Sequence, residues 1–256
     1  MPNSQNLDSE TCSNPSPKLV AGVKSRVSPW LARISYPLAC GALIPGYFGK
    51  VDISGQHHLP TNGPVILAPT HRSRWDALLV SYATGRYVTG RDLRFMVSAN
   101  EMKGIQGWFV RRLGGFPVDT KQPAIASLRF GVEALHDGEM MVIFPEGGIF
   151  RDNELHSLKP GLARLALQAE LFKPGLGTQI VPMYLSYRDP FPSWNCDVTI
   201  RIGKPLSVSA YCQQDCQGIK RNAQLLTADI TSGLQALGAV SAQGSFDSAI
   251  ALDKSL

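Results

Sequence analysis

The sequence predicts an α/β fold, a mixed central sheet wrapped by helices. Between residues 64 and 203, short apolar runs of strand length alternate with segments whose apolar residues recur at helical spacing. Proline and glycine punctuate these runs where turns are needed. No internal repeat replaces the alternation, and 256 residues suit one main domain with appendages.

Residues 1–25 are rich in Ser, Asn and Pro and are expected to be disordered. Residues 26–50 form a separate unit. Within it, WLARISYPLACGALIPGYFG (30–49) is apolar and aromatic, is broken by Pro37 and Pro45, and holds Arg33, with Lys24, Arg26 and Lys50 flanking it. Trp30, Tyr36, Tyr47 and Phe48 are side chains that favour a membrane interface. The same composition equally fits a pair of short helices packed on the domain.

The main domain is expected over 51–237. PVILAP supplies a buried strand at 64–68, and DALLVSYA belongs to a helix over 75–87. LRFMVS is a strand at 93–98, followed by a helix over 101–112 and a short strand, GFPV, at 115–118. From Pro123 to His136, Ile125, Leu128, Val132 and Leu135 share one helical face. MMVIF (140–144) is a strand, GLARLALQAEL (161–171) a helix, and QIVPMYLSY (179–187) and DVTIRIG (197–203) are strands. A last helix carries Ile219, Leu226, Ile230 and Leu234 as a core stripe, and residues 238–256 read as a disordered tail.

With 25 Lys+Arg against 20 Asp+Glu, the net charge of +5 suits nucleic acid, an anionic membrane surface or phosphorylated substrates. No Lys/Arg-rich run marks a nucleic-acid arm, so no nucleic-acid partner is expected. Cys12, Cys40, Cys196, Cys212 and Cys216 are odd in number and scattered, with no secretory signal before them, which points to a reduced cytosolic setting. Nothing completes a metal site around Cys212 and Cys216, so no metal is expected. No stretch reaches the ~18 apolar residues of a spanning helix.

Three strand-to-helix junctions hold polar residues of a catalytic kind, at the place where open α/β sheets bind ligands. At the first, His71 and Asp76 would lie ~140° apart on a regular helix. They can pair only with His71 in the turn and Asp76 in the first helical turn. Such a carboxylate fixes the imidazole tautomer and makes its other nitrogen a general base for a hydroxyl. Ser73-x-x-Asp76 is also a capping-box pattern, in which Asp76 serves the helix end alone. At the second, FPEGG (144–148) is a proline turn whose amides can face an anion, with Glu146 beside them. The third, GWFVRRLGGFPVD (107–119), carries Arg111 and Arg112.

Taken together, these blocks resemble the glycerolipid acyltransferases related to lysophosphatidate acyltransferase, the PlsC-like family. Thr70, His71 and Asp76 match the family's Asn-His-x-x-x-x-Asp, with Thr in place of Asn. GGFPVDT resembles the second block, with Thr120 where an arginine is expected. Phe144 to Gly147 match Phe-Pro-Glu-Gly-Thr-Arg, while Gly148 and Ile149 take the Thr and Arg places. Val181 and Pro182 match the fourth block, and KPGLARLALQA (159–169) looks like the helix between the last two. The resemblance covers residues 50–205.

The resemblance implies transfer of an acyl group from acyl-CoA or acyl carrier protein, as donor substrate and with no cofactor, to the hydroxyl of a membrane lysolipid. Lysophosphatidate is the default acceptor, and another lysolipid or a phosphate-free lipid alcohol the alternative. His71 and Asp76 would be catalytic; Glu146, Gly147, Gly148, Arg151, Arg111, Arg112 and Pro182 would bind substrate, the arginines standing in for those missing at 120 and 149. Residues 30–49 would be a two-helix element docking the chain peripherally or monotopically on the cytoplasmic membrane face. A catalytically silent membrane-binding protein is the reading from another class, and the intact His71/Asp76 pair speaks against it. No Gly-x-Ser-x-Gly elbow or P-loop is present.

Overall fold

The computed structural model describes residues 27–118, 125–212 and 218–253. The expected disordered segment 1–25, Lys24, Arg26 and Thr120 lie outside them. Among the described residues, eight strands form one sheet. β1 (Val51–Ser54), β2 (Val65–Pro69), β3 (Leu93–Ser98), β4 (Gly115–Val118), β5 (Met140–Val142), β6 (Gln179–Tyr187) and β7 (Val198–Ile202) lie in the order β1-β7-β6-β2-β5-β3-β4, and β8 (Leu206–Ser207) pairs with β6. Neighbours are parallel except β6–β7 and β6–β8. The sheet is therefore mixed, as predicted.

The described helices are α1 (Pro29–Leu38), α2 (Ile44–Tyr47), α3 (Asp76–Thr84), α4 (Arg86–Thr89), α5 (Gly104–Arg112), α6 (Ile125–His136), α7 (Gly161–Phe172) and α8 (Ile219–Asp253). Every residue of central β2 is buried, because parallel strands covered on both faces are apolar throughout. Its alternate side chains serve two cores: Ile66 and Ala68 join Leu135, Leu165 and Leu226 from α6, α7 and α8, whereas Val65 and Leu67 join Ile44 and Leu79 from α2 and α3.

The helix expected at 75–87 breaks at Gly85 into α3 and α4. A Cβ there would lie 2.5 Å from the Ser81 carbonyl and 3.0 Å from the Tyr36 hydroxyl, so glycine lets Tyr36 approach the backbone. Residues 99–102 form a 3-10 turn ahead of α5. β1 and β8 are additional strands, four and two residues long. The tail expected from Gly238 instead continues α8 to Asp253; the segment is alanine-rich and proline-free, which favours helix.

At the N-terminus, α1 passes through a π-helical turn (Ala39–Leu43) directly into α2, so residues 29–47 are one continuous helical run with Pro37 inside it. Of the four aromatics read as interfacial, only Trp30 is exposed. Phe48 is buried, Tyr47 stacks on Trp75 at 4.6 Å, and Tyr36 lines an internal cavity. No helix among the described residues is long and apolar enough to cross a membrane.

Candidate active site

β2 and β5 are adjacent and parallel, and they end together, with the Ile143 N–H donating to the Leu67 carbonyl at 3.0 Å. The turns that follow are therefore side by side. Thr70, in the place where the resemblance expects Asn, is fully buried and ties the first turn to β6: its hydroxyl donates to the Leu185 carbonyl (3.1 Å) and accepts from the Leu185 N–H (2.9 Å).

Asp76 opens α3 and is fully buried. Its Oδ2 accepts from the N–H groups of Arg72 (2.6 Å) and Ser73 (2.8 Å) and lies 2.8 Å from His71 Nδ1; its Oδ1 accepts from the Tyr187 hydroxyl at 2.5 Å. An oxygen already accepting two amides acts as the acceptor for the ring as well, so Nδ1 carries the proton and Nε2 of the neutral ring carries the lone pair. The Ser73 bond is half of a capping box, so the capping and orienting roles share one carboxylate. Burial, and then Asp76, push the Tyr187 hydroxyl well above the usual tyrosine range, which keeps it a donor.

The His71 ring stacks on Phe144, with centroids 3.9 Å apart. Its Nε2 has no protein partner among the described residues, and the residue lines a cavity of about 830 Å³. That cavity runs under α1 and α5 along β3, walled by Leu78, Phe95, Met96, Val110, Leu113 and Ile143. Its size falls within the ~300–1,000 Å³ of small-molecule sites. Tyr36, Cys40 and Asp92 also line it. Burial first, and then Asp92, push Tyr36 up to about 12, and burial raises the Cys40 thiol.

Glu146, expected to meet substrate, is instead buried and does not line the cavity. Its Oε2 accepts from the His71 N–H (2.8 Å) and from Arg72 Nη1 (2.9 Å), and its Oε1 accepts from the same Nη1 (3.0 Å) and from the His156 N–H (3.0 Å). Arg72 in turn donates to the Glu154 carbonyl at 2.8 Å. The FPEGG turn thus holds the backbone of His71 in place. Gly147, with φ of +69° in the left-handed region, passes beneath Lys159, and both line the cavity together with Gly148 and Ile149.

The other expected binding residues lie off the cavity. Arg151 is exposed, with its guanidinium 4.6 Å from the Phe191 ring centroid, and Arg111 and Arg112 are exposed on α5. Pro182 sits inside β6, paired with Ala68. The basic residues that do line the cavity are Arg74 and Lys159. Arg74, two residues before Asp76, and Lys159, at the head of KPGLARLALQA, carry no mark in the sequence of a place in the cavity. Neither Arg72 nor Tyr187 is marked either: Arg72 meets Glu146 only when the two turns come side by side, and only folding brings Tyr187 of β6 to α3. Among the described residues no three His, Cys, Asp or Glu side chains converge as a metal site would need.

Comparison with known proteins agrees with this geometry. The chain is similar to a 1-acyl-sn-glycerol-3-phosphate acyltransferase of Streptococcus pneumoniae (strain ATCC BAA-255 / R6), 23% identical over 172 residues covering 64% of this chain and 58% of that one. It is similar to another of that name from Bacillus subtilis (strain 168), 28% identical over 120 residues covering 46% and 57%. The chain thus spans a little over half the length of these curated relatives. The crystal structure of the 1-acyl-sn-glycerophosphate acyltransferase PlsC from Thermotoga maritima shares the fold, with a TM-score of 0.51, 18% identity and 72% of each chain covered. The family model described as Acyltransferase matches residues 50–186, the span that holds β2, β5 and both turns, and the chain belongs to that acyltransferase family.

Proposed function

We propose that this chain is an O-acyltransferase that moves a fatty acyl group from acyl-CoA or acyl carrier protein to the free hydroxyl of a lysophospholipid, with 1-acyl-sn-glycerol-3-phosphate as acceptor and phosphatidate as product. The observation that carries the reading is a histidine whose Nδ1 is held by a buried aspartate and whose ring lines a large apolar cavity. The names of the relatives support the acceptor.

A thioester is already activated, so no enzyme nucleophile is needed. The acceptor oxygen attacks the thioester carbonyl, Nε2 of His71 takes the hydroxyl proton, the new C–O bond forms and the C–S bond breaks. The proton then passes from His71 to the leaving thiolate. The apolar walls suit an acyl chain. The cations available to an acceptor phosphate are Arg74, exposed and paired with Glu101 at 3.2 Å, and exposed Lys159, both lining the cavity. A phosphate-free lipid alcohol is the second reading, favoured by Ile149 lining the cavity where the resemblance expects an arginine. Because the acceptor is a membrane lipid, the enzyme works peripherally at the cytoplasmic membrane face, with Trp30, Ile34 and Leu38 of α1 exposed for docking.

The test is acyl transfer by the purified chain from labelled acyl-CoA and labelled acyl carrier protein to lysophosphatidate, a second lysophospholipid and a monoacylglycerol. Phosphatidate should form, and Lys159→Ala should raise the KM for lysophosphatidate about tenfold without changing that for the donor. No product with any acceptor would overturn the reading; product from monoacylglycerol alone would establish the second one.

A further inference from the structure

Helix α5 presents an apolar face to solvent. In a helix packed on a domain, apolar residues at i, i+3 and i+4 face inward. In α5 those positions are Ile105, Trp108 and Phe109, exposed by 79%, 42% and 44%. The side turned to the protein is instead Gly107, where a Cβ would lie 2.1 Å from the Met102 carbonyl oxygen. Glycine there lets the helix pack on the 3-10 turn that precedes it, while Ile105 and Trp108 point away from the protein and Phe109 is shared between solvent and the cavity.

The charges on α5 and on Lys103 directly before it have one sign, and Glu101, farther ahead, is paired with Arg74. Lys103, Arg111 and Arg112 are exposed, and α5 holds no acidic residue. The Arg112 guanidinium lies 4.9 Å from the Trp108 ring centroid, so cation and aromatic form one surface. The patch is also continuous with α1, because the Ser28 N–H at the head of α1 donates to the Arg112 carbonyl at the end of α5 (2.8 Å). On α1, Trp30, Ile34 and Leu38 recur every four residues, exposed by 55%, 60% and 63%, with exposed Arg33 among them. Both helices also wall the cavity, through Ser35 and Tyr36 of α1 and Phe109 and Val110 of α5.

We propose that α5 is a membrane-docking helix: Ile105 and Trp108 enter the headgroup boundary of an anionic bilayer, and Lys103, Arg111 and Arg112 bind lipid phosphates beside them. This assigns the two arginines to the membrane surface rather than to the acceptor. Aromatic and aliphatic residues flanked by cations are what an anionic interface takes up. A second copy fits this face poorly, since a two-fold contact would set the three cations against their own counterparts. Docking here would bring the bilayer against the helices that wall the cavity, shortening the path of a lipid acceptor. The inference concerns where the protein sits and stands apart from its chemistry.

The test is flotation of the full chain, without donor or acceptor, on vesicles of phosphatidylcholine alone and of phosphatidylcholine with phosphatidylglycerol. Ile105→Glu changes a side chain that touches little of the core and should lower the partition coefficient on anionic vesicles roughly tenfold. R111Q/R112Q should lower it about fivefold per arginine on anionic vesicles, leave binding to neutral ones unchanged, and reduce its salt dependence. Phe172→Glu, at the exposed C-terminal end of α7, serves as the control and should bind as wild type does. Equal partition of Ile105→Glu and wild type would overturn the proposal. So would a wild-type dimer that Ile105→Glu dissolves with no change in flotation, which would give the face to a second copy.

Discussion

Asp76 and Glu146 are both buried carboxylates in turns that follow neighbouring parallel strands, and each accepts hydrogen bonds on both oxygens. Their partners differ in kind. Asp76 holds the Nδ1 of an imidazole whose other nitrogen has no protein partner among the described residues and whose ring lines the cavity. Glu146 holds a buried guanidinium that stays charged at every working pH, and two backbone amides. A carboxylate facing a group that can gain or lose a proton tunes chemistry. One facing a permanent cation fastens structure, here the second turn to the backbone of the first. Changes at Asp76 should therefore act on rate, and changes around Glu146 on stability.

The largest effect is expected from His71→Ala, which removes the base. Acyl transfer should fall by roughly 10²–10⁴-fold with the melting temperature nearly unchanged, because the ring is part-exposed at a turn. Near-normal turnover would leave Asp76 with nothing to tune. Arg72→Met should act in the opposite way: it strands the Glu146 charge, which costs about 3–5 kcal/mol. At about 2–4 °C per kcal/mol, melting should drop by roughly 6–20 °C, while activity per folded molecule changes much less. A wild-type melting curve would show that the pair fastens nothing.

Asp76→Asn should lower turnover by about 10²-fold and melting only modestly, since the amide oxygen still accepts from the two backbone N–H groups. If stability falls and activity per folded molecule does not, Asp76 is only the cap of α3. The smallest effect is expected from Tyr187→Phe. The Tyr187 hydroxyl keeps its proton through the neutral range, because burial and Asp76 both raise it. Removing this donor leaves Asp76 held by His71 Nδ1 and the Arg72 and Ser73 N–H groups. Turnover should fall only a few-fold; a loss as large as that of Asp76→Asn would show that the hydroxyl, and not the carboxylate alone, orients the imidazole.

The same contrast explains what could be read from the chain. His71 and Asp76 stand five positions apart, so a strand-turn-helix junction with His71 in the turn and Asp76 at the helix start allows their pairing, and the β2 and β6 spans follow from apolar runs. Glu146 was visible as a residue but not as a structural anchor, because its cation stands 74 positions away and meets it only when β2 and β5 align. Tyr187 is farther still, 111 positions from Asp76. β1 and β8 are too short to show a period, and the π-helical turn after Pro37 has no signature in the residues around it. The arginines at 111, 112 and 151 were assigned by nearness along the chain, whereas Arg74 and Lys159 line the cavity through the packing of α3 and the segment before α7 against the sheet.

The comparison is tested most directly by kcat and melting temperature measured together for wild type, Asp76→Asn and Glu146→Gln. Losing the carboxylate that orients the imidazole should lower kcat about 10²-fold in Asp76→Asn, with only a modest fall in melting. In Glu146→Gln the order reverses: melting should fall clearly, because buried Arg72 loses its ion-pair partner, while kcat per folded molecule stays close to wild type. A wild-type kcat in Asp76→Asn, or equal losses of kcat in both variants, would contradict the division of labour between the two carboxylates.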